Sequence, residues 1–544
     1  MKLFFCLLSP YLISIALAFF AKDSWFSILP TEQVVATALV FITIQTFVFY
    51  FQRSIWNTLL SWNKTASRLM VFILFLLFTI TLLYPFRNLS WGDGLILFET
   101  NLLETKLFGL QIALDEIIET SLHSLAYHLL NYSGILFDIR LSYQLISYTA
   151  GIFFLALVGW YLPKYKSNQD DFFPKLIFFG SGGYLVFFGY AENYSYLSLY
   201  IFFLLIYLRK MIEGEISSKK LLLSATILVT IGIFFHLVTG FLAVLLGYLW
   251  YKESPRERKV KDLFQFSALG FGIIAIGFVY LLFIHDPNVD RQSSHLLHPP
   301  LYPLKRLISI NHFKEVLSVL WWNSKPAIFV LLYFFLYDKK IFKTWISRRE
   351  NAFLFVAFLS FLLNGFFINP MLGFPGDWDM TGFYWIPLAF LGYLALLEYP
   401  NVTYQVFPLL VFCLIMQIFH AKKLSETNPE SEAMVRITEN LVTLYVAENQ
   451  EKVNSLPSSQ KKFYAKTDFF LYKADRITSL MCDFNEKENL KKELQTLRKE
   501  FQSSSQEGKL KDKTWIKGFL YRATDGNTKY IKSLKEHKLC HLGV

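Results

Sequence analysis

A chain of 544 residues that is 54% hydrophobic and 17% charged, with a mean hydropathy of +0.37, carries more apolar surface than water tolerates; soluble chains carry about 25% charge. An aromatic share of 18% excludes a disordered or fibrous chain. The formal net charge of +11 fits the Lys- and Arg-rich cytoplasmic loops of a multi-pass membrane protein, so nucleic acid is not an expected partner.

A helical span needs about 20 apolar residues to cross about 30 Å of hydrocarbon. In chain order, candidate spans fall at 3–21, 34–51, 69–85, 141–162, 175–191, 195–208, 221–235, 237–251, 264–284, 327–342, 352–368, 385–399 and 403–420. The expected fold class is therefore all-α, a polytopic transmembrane helical bundle of about 13 spans. Leu221 to Trp250 reads either as two spans or as one bent span. The first span resembles a signal peptide, with Lys2, an apolar run and small residues at Ala18 and Ala21. Its cleavage would leave the later topology unchanged.

Every second loop is basic. Arg53, Lys64 and Arg68 share one; Lys164, Lys166 and Lys175 the next. Arg209, Lys210, Lys219 and Lys220 follow, then Lys252 to Lys261, then Lys339 to Arg349. Basic loops are retained on the cytoplasmic side, so loops 22–33, 86–140, 192–194, the region of His236, 285–326 and 369–384 are expected outside. Three parts follow: two N-terminal spans in 1–68, a main bundle in 69–420, and a small, soluble, helical C-terminal domain in 421–544. The last is Lys- and Glu-rich, with apolar residues at three- and four-residue spacing. An odd number of spans places it outside and an even number inside. Four Cys without ligand spacing make neither a zinc site nor a disulfide framework, and Cys482 and Cys540 either pair or stay free.

Ionisable groups at membrane depth are costly and mark function. The outer loops hold four such clusters. Trp91-Gly92-Asp93-Gly94 sets one carboxylate in a sharp turn. After it, Glu99, Glu104, Asp115, Glu116, Glu119 and His123 follow helical periodicity; the mixed character suits an interfacial helix whose acids form a solvated face. Tyr190-Ala191-Glu192-Asn193-Tyr194 is a very short turn between two apolar spans, and Glu192 there reads either as a turn acid or as a site residue. His236 is alone in an apolar run and reads either as packing or as a ligand. The later loops bring His285, Arg291, His295, His298, Lys305, Arg306 and His312, then Asp377-Trp378-Asp379. The histidines lack zinc spacing. Two carboxylates two residues apart point the same way on an extended chain, so Asp377 and Asp379 either cap the next span, hold a divalent cation such as Mg or Mn, or anchor sugar hydroxyls beside Trp378.

This layout resembles the GT-C superfamily of integral-membrane glycosyltransferases, with many spans, an acid in an early outer loop beside an interfacial helix, and polar residues in later outer loops. The similarity covers roughly residues 69–420, and its motifs are loose. It implies Asp93 as the early-loop acid and general base. It also implies Glu192, His236, Trp91, Trp378, Arg291 and Arg306 as substrate contacts, and a polyprenyl-phosphate sugar as donor. The acceptor would be a glycan, lipid or protein hydroxyl, met at the periplasmic face of a bacterial plasma (inner) membrane during cell-envelope glycan biosynthesis. Two departures stand out: the acid follows the third span instead of the first, and it has no adjacent acidic partner. The competing expectation is a transporter or flippase of lipid-linked sugars, although no internal repeat is visible.

Overall fold

A computed structural model of the chain describes residues 2–20, 30–61, 116–133, 140–162, 172–190, 192–214, 216–284, 301–369 and 378–425, with single positions at 495 and 499. Asp93, Trp91, Arg291, Asp377, the span 69–85 and both tail cysteines lie outside these residues, as does nearly all of the C-terminal domain. Among the described residues the regular structure is helical; one antiparallel bridge, Leu301 with Ile368, is the single β feature.

The helices run α1 (Lys2–Phe20), α2 (Thr31–Ser61), α3 (Ile117–Tyr132), α4 (Arg140–Ala156), α5 (Phe172–Phe179), α6 (Ser195–Glu213), α7 (Ser218–Phe235) and α8 (Ala243–Glu253). They continue as α9 (Lys259–Ile284), α10 (Leu304–Leu307), α11 (Ile310–Tyr337), α12 (Lys339–Ile346), α13 (Arg349–Phe367), α14 (Trp378–Thr381), α15 (Trp385–Glu398) and α16 (Pro400–Ser425). Nine of the described helices are long and apolar enough to cross a membrane, which is compatible with a multi-pass membrane protein. Three other expected spans hold helices of fewer than 18 residues, and each has a local cause.

The first, 175–191, stays α-helical only to Phe179, then passes through a 3-10 turn at Gly182–Val186 into irregular backbone. A Cβ at Gly182 would strike the Trp322 carbonyl, and one at Gly183 the Trp385 indole, so this stretch of backbone approaches its neighbours too closely for a side chain. Phe188 then takes φ 64° and Gly189 φ 105°. Ser147 pins the break: Gly189 N–H donates to its Oγ at 3.2 Å, and that hydroxyl donates to the Val186 carbonyl at 3.1 Å.

The second concerns Leu221 to Trp250, which is two helices. His236 adopts an extended conformation (φ −166°, ψ 141°) between α7 and a 3-10 turn at Leu237–Leu242, and this leaves α8 only 11 residues. The third, α15, has 14 residues and lies inside the bundle, buried from Trp385 to Leu397. A helix enclosed by other helices need not match the hydrocarbon thickness.

One boundary is also corrected. The span expected at 327–342 begins at Ile310, where Ser309 Oγ accepts His312 N–H at 3.2 Å. It ends at Asp338, whose Oδ1 caps α12 by accepting from Lys340 and Ile341 at 2.9 Å each. Lys314, Glu315, Asn323 and Lys325 give its first half the polarity of a loop, and part of the supposed outer loop 285–326 is thus membrane-length helix.

Two hydrophobic cores form. The larger joins α4 to α8, α11, α13 and α15 around Trp345, Trp378 and Trp385. A smaller one, built on Tyr11, Ala38, Phe41, Phe329, Phe412 and Cys413, binds α1 and α2 to α11 and α16. Between these, Tyr11 hydroxyl donates to Gln45 Oε1 at 3.0 Å, and Gln45 Nε2 donates to the Gln405 carbonyl at 2.8 Å. Buried polar groups are thereby satisfied where the N-terminal pair docks.

The bundle has two unlike ends. At one, Arg349 bridges to Glu253 at 2.7 Å and 2.5 Å, Arg348 to Glu398 at 2.5 Å, and Arg209 to Glu213 at 2.7 Å. Three of the basic loops meet there. The opposite end of the bundle carries Glu116, Glu119, Glu192, Asp379, His123 and His236, all buried.

Candidate functional site

The site gathers where helices stop inside the bundle: the start of α3, the irregular stretches 187–190 and 192–194 before α6, the extended residue His236 after α7, and the start of α14. Each contributes polar groups because its chain end leaves the helical hydrogen-bond ladder there.

Glu116 stands immediately before α3. Its Oε2 accepts from Asn193 Nδ2 at 2.6 Å, and its Oε1 lies 3.4 Å from His236 Nε2. The tautomer of His236 follows from its other nitrogen. Nδ1 accepts the Val238 N–H at 3.0 Å, so Nε2 carries the proton and faces the carboxylate. The His236 ring meets Tyr194 edge-on at 5.5 Å. His236 therefore does two things: its ring caps the start of the 3-10 turn Leu237–Leu242, and it aims Glu116.

One turn further, Glu119 Oε1 accepts the backbone N–H of Leu197 at 2.5 Å. This carboxylate caps the N-terminus of α6 from another helix, a favourable place for negative charge. Burial, and then the nearby Glu116 charge, push Glu119 well above the usual carboxylate range against the pull of that N–H. His123 stacks on Tyr143 at 4.1 Å, with Nε2 3.8 Å from Glu119 Oε2. Burial lowers His123 to about 3, so it is a neutral imidazole at ordinary pH.

The expectation that the acids of this stretch form a solvated face is corrected for Glu116 and Glu119. Both are buried, as are Thr120, His123 and Ser124. Helix α3 turns its polar side inward and leaves Leu125, Leu129 and Tyr132 exposed. An exposed apolar face suits contact with lipid at the interface, so periodicity gave the helix correctly and its facing in reverse.

Across from this cluster, Tyr190 hydroxyl donates to Asp379 Oδ2 at 2.8 Å, and the Asp379 Oδ1 accepts the Met380 N–H at 2.9 Å. Glu192 is buried, with its charge beside the Tyr190 hydroxyl. Trp378 lies between Tyr190, 5.8 Å away, and Trp322, 6.4 Å away. Two amides fix its turn: Asn323 Nδ2 donates to the Trp378 carbonyl and Asn364 Nδ2 to the Met380 carbonyl, each at 3.1 Å.

Of the predicted site residues, Glu192, His236, Trp378 and Asp379 come to this one end. Arg306 is engaged elsewhere: it pairs with Glu315 at 2.5 Å beside His312. For the cation expected at Asp377 and Asp379, the described half does not present a ligand set. Both Asp379 oxygens accept protein hydrogen bonds, and among the described residues no group of three or more His, Cys, Asp or Glu is placed to hold a metal ion. Asn193 was not singled out from the sequence, since an amide in a short turn reads as turn chemistry; its signal was the pairing of one amide with one acid in a two-residue break.

Chemically, the site offers four buried carboxylates, two imidazoles, a phenol and an indole face. Such a surface recognises hydroxyl-rich ligands by hydrogen bonding and stacking. Comparisons of the chain with family models, with curated proteins and with solved structures find no match.

Proposed function

We propose that this protein is a membrane glycosyltransferase that moves a sugar from a polyprenyl-phosphate donor to an acceptor hydroxyl at the outer face, inverting the anomeric configuration. The observation that carries this reading is the convergence of Glu116, Glu119, Glu192 and Asp379 with His236 and Trp378 at one end of an apolar bundle. Acids cost most where lipid surrounds them, and four buried together with a histidine at one end fit chemistry at that face.

In this reading Asp93, which precedes α3 in the sequence, takes the proton of the acceptor hydroxyl as general base. The hydroxyl oxygen attacks the anomeric carbon, the bond to the lipid phosphate breaks, and the phosphate leaves with the electron pair. Glu116, held by Asn193 and His236, and Asp379, held by Tyr190, are rigid acceptors for sugar hydroxyls. Trp378 supplies a stacking face, with Trp91 a second candidate. The resemblance to the GT-C superfamily belongs to this proposal.

Transfer from radiolabelled polyprenyl-phosphate sugars by the full chain in nanodiscs tests it, wild type beside Asp93→Asn, with and without chelator. Loss of turnover in a folded Asp93→Asn supports the assignment; full turnover sinks it. The second reading, a flippase for lipid-linked sugars, draws on the two helices interrupted at Gly180–Tyr190 and His236, a feature that transporters use for substrate sites. Lipid movement between leaflets without transfer would favour it.

A further inference from the structure

Two Lys or Arg side chains are buried among the described residues, Arg209 and Lys325. Arg209 pairs with Glu213 at 2.7 Å. Lys325 is 6% exposed midway along α11, and no carboxylate pairs with it among the described residues; its ammonium lies over the Trp321 ring, 5.5 Å from the centroid. Its electrostatic neighbours are Cys413 and His420, both on α16. Neither supplies a counter-charge: Cys413 is a free buried thiol, and His420 Nδ1 is bonded to the Met416 carbonyl at 2.6 Å.

An ammonium at membrane depth without an anion is expensive. An apolar side chain of similar length would pack there at lower cost, so the charge is retained for a ligand. Three features say which. Lys325 sits at the seam between the two cores, with Cys413 in the smaller and Trp322 in the larger, and seams between helix groups are common ligand positions. Helical side chains lean toward the N-terminus of their helix, and the contact with Trp321, four residues back, follows that lean. This directs the ammonium toward the end that holds the acids. Finally, Trp322 joins the two regions, touching His420 edge-on at 4.4 Å and Trp378 at 6.4 Å. On α16, the buried Gln417 Oε1 has no hydrogen-bond partner, leaving a polar group at the same seam.

We propose that Lys325 binds the phosphate of a lipid-linked substrate that enters from the bilayer, holding it just below Trp322 while the attached group reaches Trp378 and Asp379. The assignment rests on the lipid-phosphate donor of the proposed function, and it replaces Arg306, whose charge Glu315 already answers.

The test uses the full chain in phosphatidylcholine nanodiscs, with wild type, Lys325→Met and Lys325→Arg, and reads binding instead of transfer. Polyprenyl monophosphate is titrated and bound lipid is measured by native mass spectrometry, with inorganic phosphate as a separate arm followed by thermal shift. The expected result is at least a tenfold loss of lipid affinity in Lys325→Met, near-normal affinity in Lys325→Arg, and a lipid-free Tm of Lys325→Met equal to or above wild type. Unchanged affinity in folded Lys325→Met overturns the proposal and leaves the transferase reading standing. Stabilisation by inorganic phosphate without lipid binding also overturns it, since the site would then serve a free anion. If Lys325→Met fails to fold and Lys325→Gln, made as its replacement, fails too, the cation is structural and the proposal falls. A wild-type protein that binds no polyprenyl phosphate would overturn the donor reading itself.

Discussion

His236 Nε2 faces Glu116 Oε1 across 3.4 Å while the other ring nitrogen accepts the backbone N–H of Val238. One imidazole thus ends a helix and orients a carboxylate 120 positions earlier in the chain. Because Asn193 holds the second Glu116 oxygen, the carboxylate is fixed from two elements at once.

Removing that carboxylate should orphan both donors. Glu116→Ala is expected to cost about 2–6 kcal/mol, from about 1–3 kcal/mol for each of the two buried donors that lose it. Glu116→Gln should cost clearly less, because Asn193 can turn its amide to present oxygen to the new NH2 group. Thermal unfolding of both variants in one detergent is the measurement. Equal Tm values would show that the two-donor geometry is not what holds Glu116.

Glu119 predicts a different contrast. It accepts the Leu197 N–H, and a Gln side chain keeps an oxygen for that bond. Glu119→Gln should therefore stay close to wild-type stability, whereas Glu119→Leu should release the N-terminus of the helix Ser195–Glu213. Hydrogen exchange at Leu197 reads this directly: faster exchange in Leu but not in Gln is expected, and unchanged exchange in both would refute the cap.

His123 gives the pH dependence. Burial lowers it from 6.5 to about 3, so the native state binds the proton less well than the unfolded state. Stability on this account is complete above pH 6.5 and declines as pH falls from there toward about 3, by up to about 1.4 kcal/mol per pH unit. His123→Phe keeps the stacking on Tyr143 and removes the proton site. Its unfolding free energy should vary less between pH 7 and pH 5 than that of wild type; parallel curves would show that His123 does not contribute.

The Tyr190–Asp379 bond predicts coupling between two chain segments 189 residues apart. Tyr190→Phe and Asp379→Asn, singly and together, should give a coupling energy of about 0.5–3 kcal/mol, the range for residues in direct contact or one hydrogen-bond network. Additive losses would mean that the two groups act independently.

Gly183→Ala should be costly although the change is one methyl group. The added Cβ would enter the Trp385 indole, which is buried with no room to move, and overpacking of this kind costs about 1–3 kcal/mol. Gly247→Ala, where a Cβ meets nothing, serves as the control and should leave Tm unchanged or slightly raised. Similar Tm values for the two variants would contradict the close approach.

Hydropathy by itself determined the helical class, eight of the nine spans among the described residues and the second half of the ninth, and the alternation of basic and polar ends, because each depends only on local composition and on the thickness of the bilayer. It also brought Glu192, His236, Trp378 and Asp379 to notice, since polar residues in apolar runs are visible without a structure. Only the tertiary structure decided how they are used. Whether the segment 175–191 crosses as a helix depended on how closely Trp322 and Trp385 approach Gly182 and Gly183, and that contact is hundreds of positions removed in places. The inward turn of Glu116, Glu119 and His123 reversed the facing read from periodicity, because a helical stripe shows that two faces differ but not which one meets lipid. Arg306 and Lys325 make the same point with charge. One is answered by Glu315 and the other is left over Trp321, and the pairing of a cation is a property of neighbours that only folding assembles.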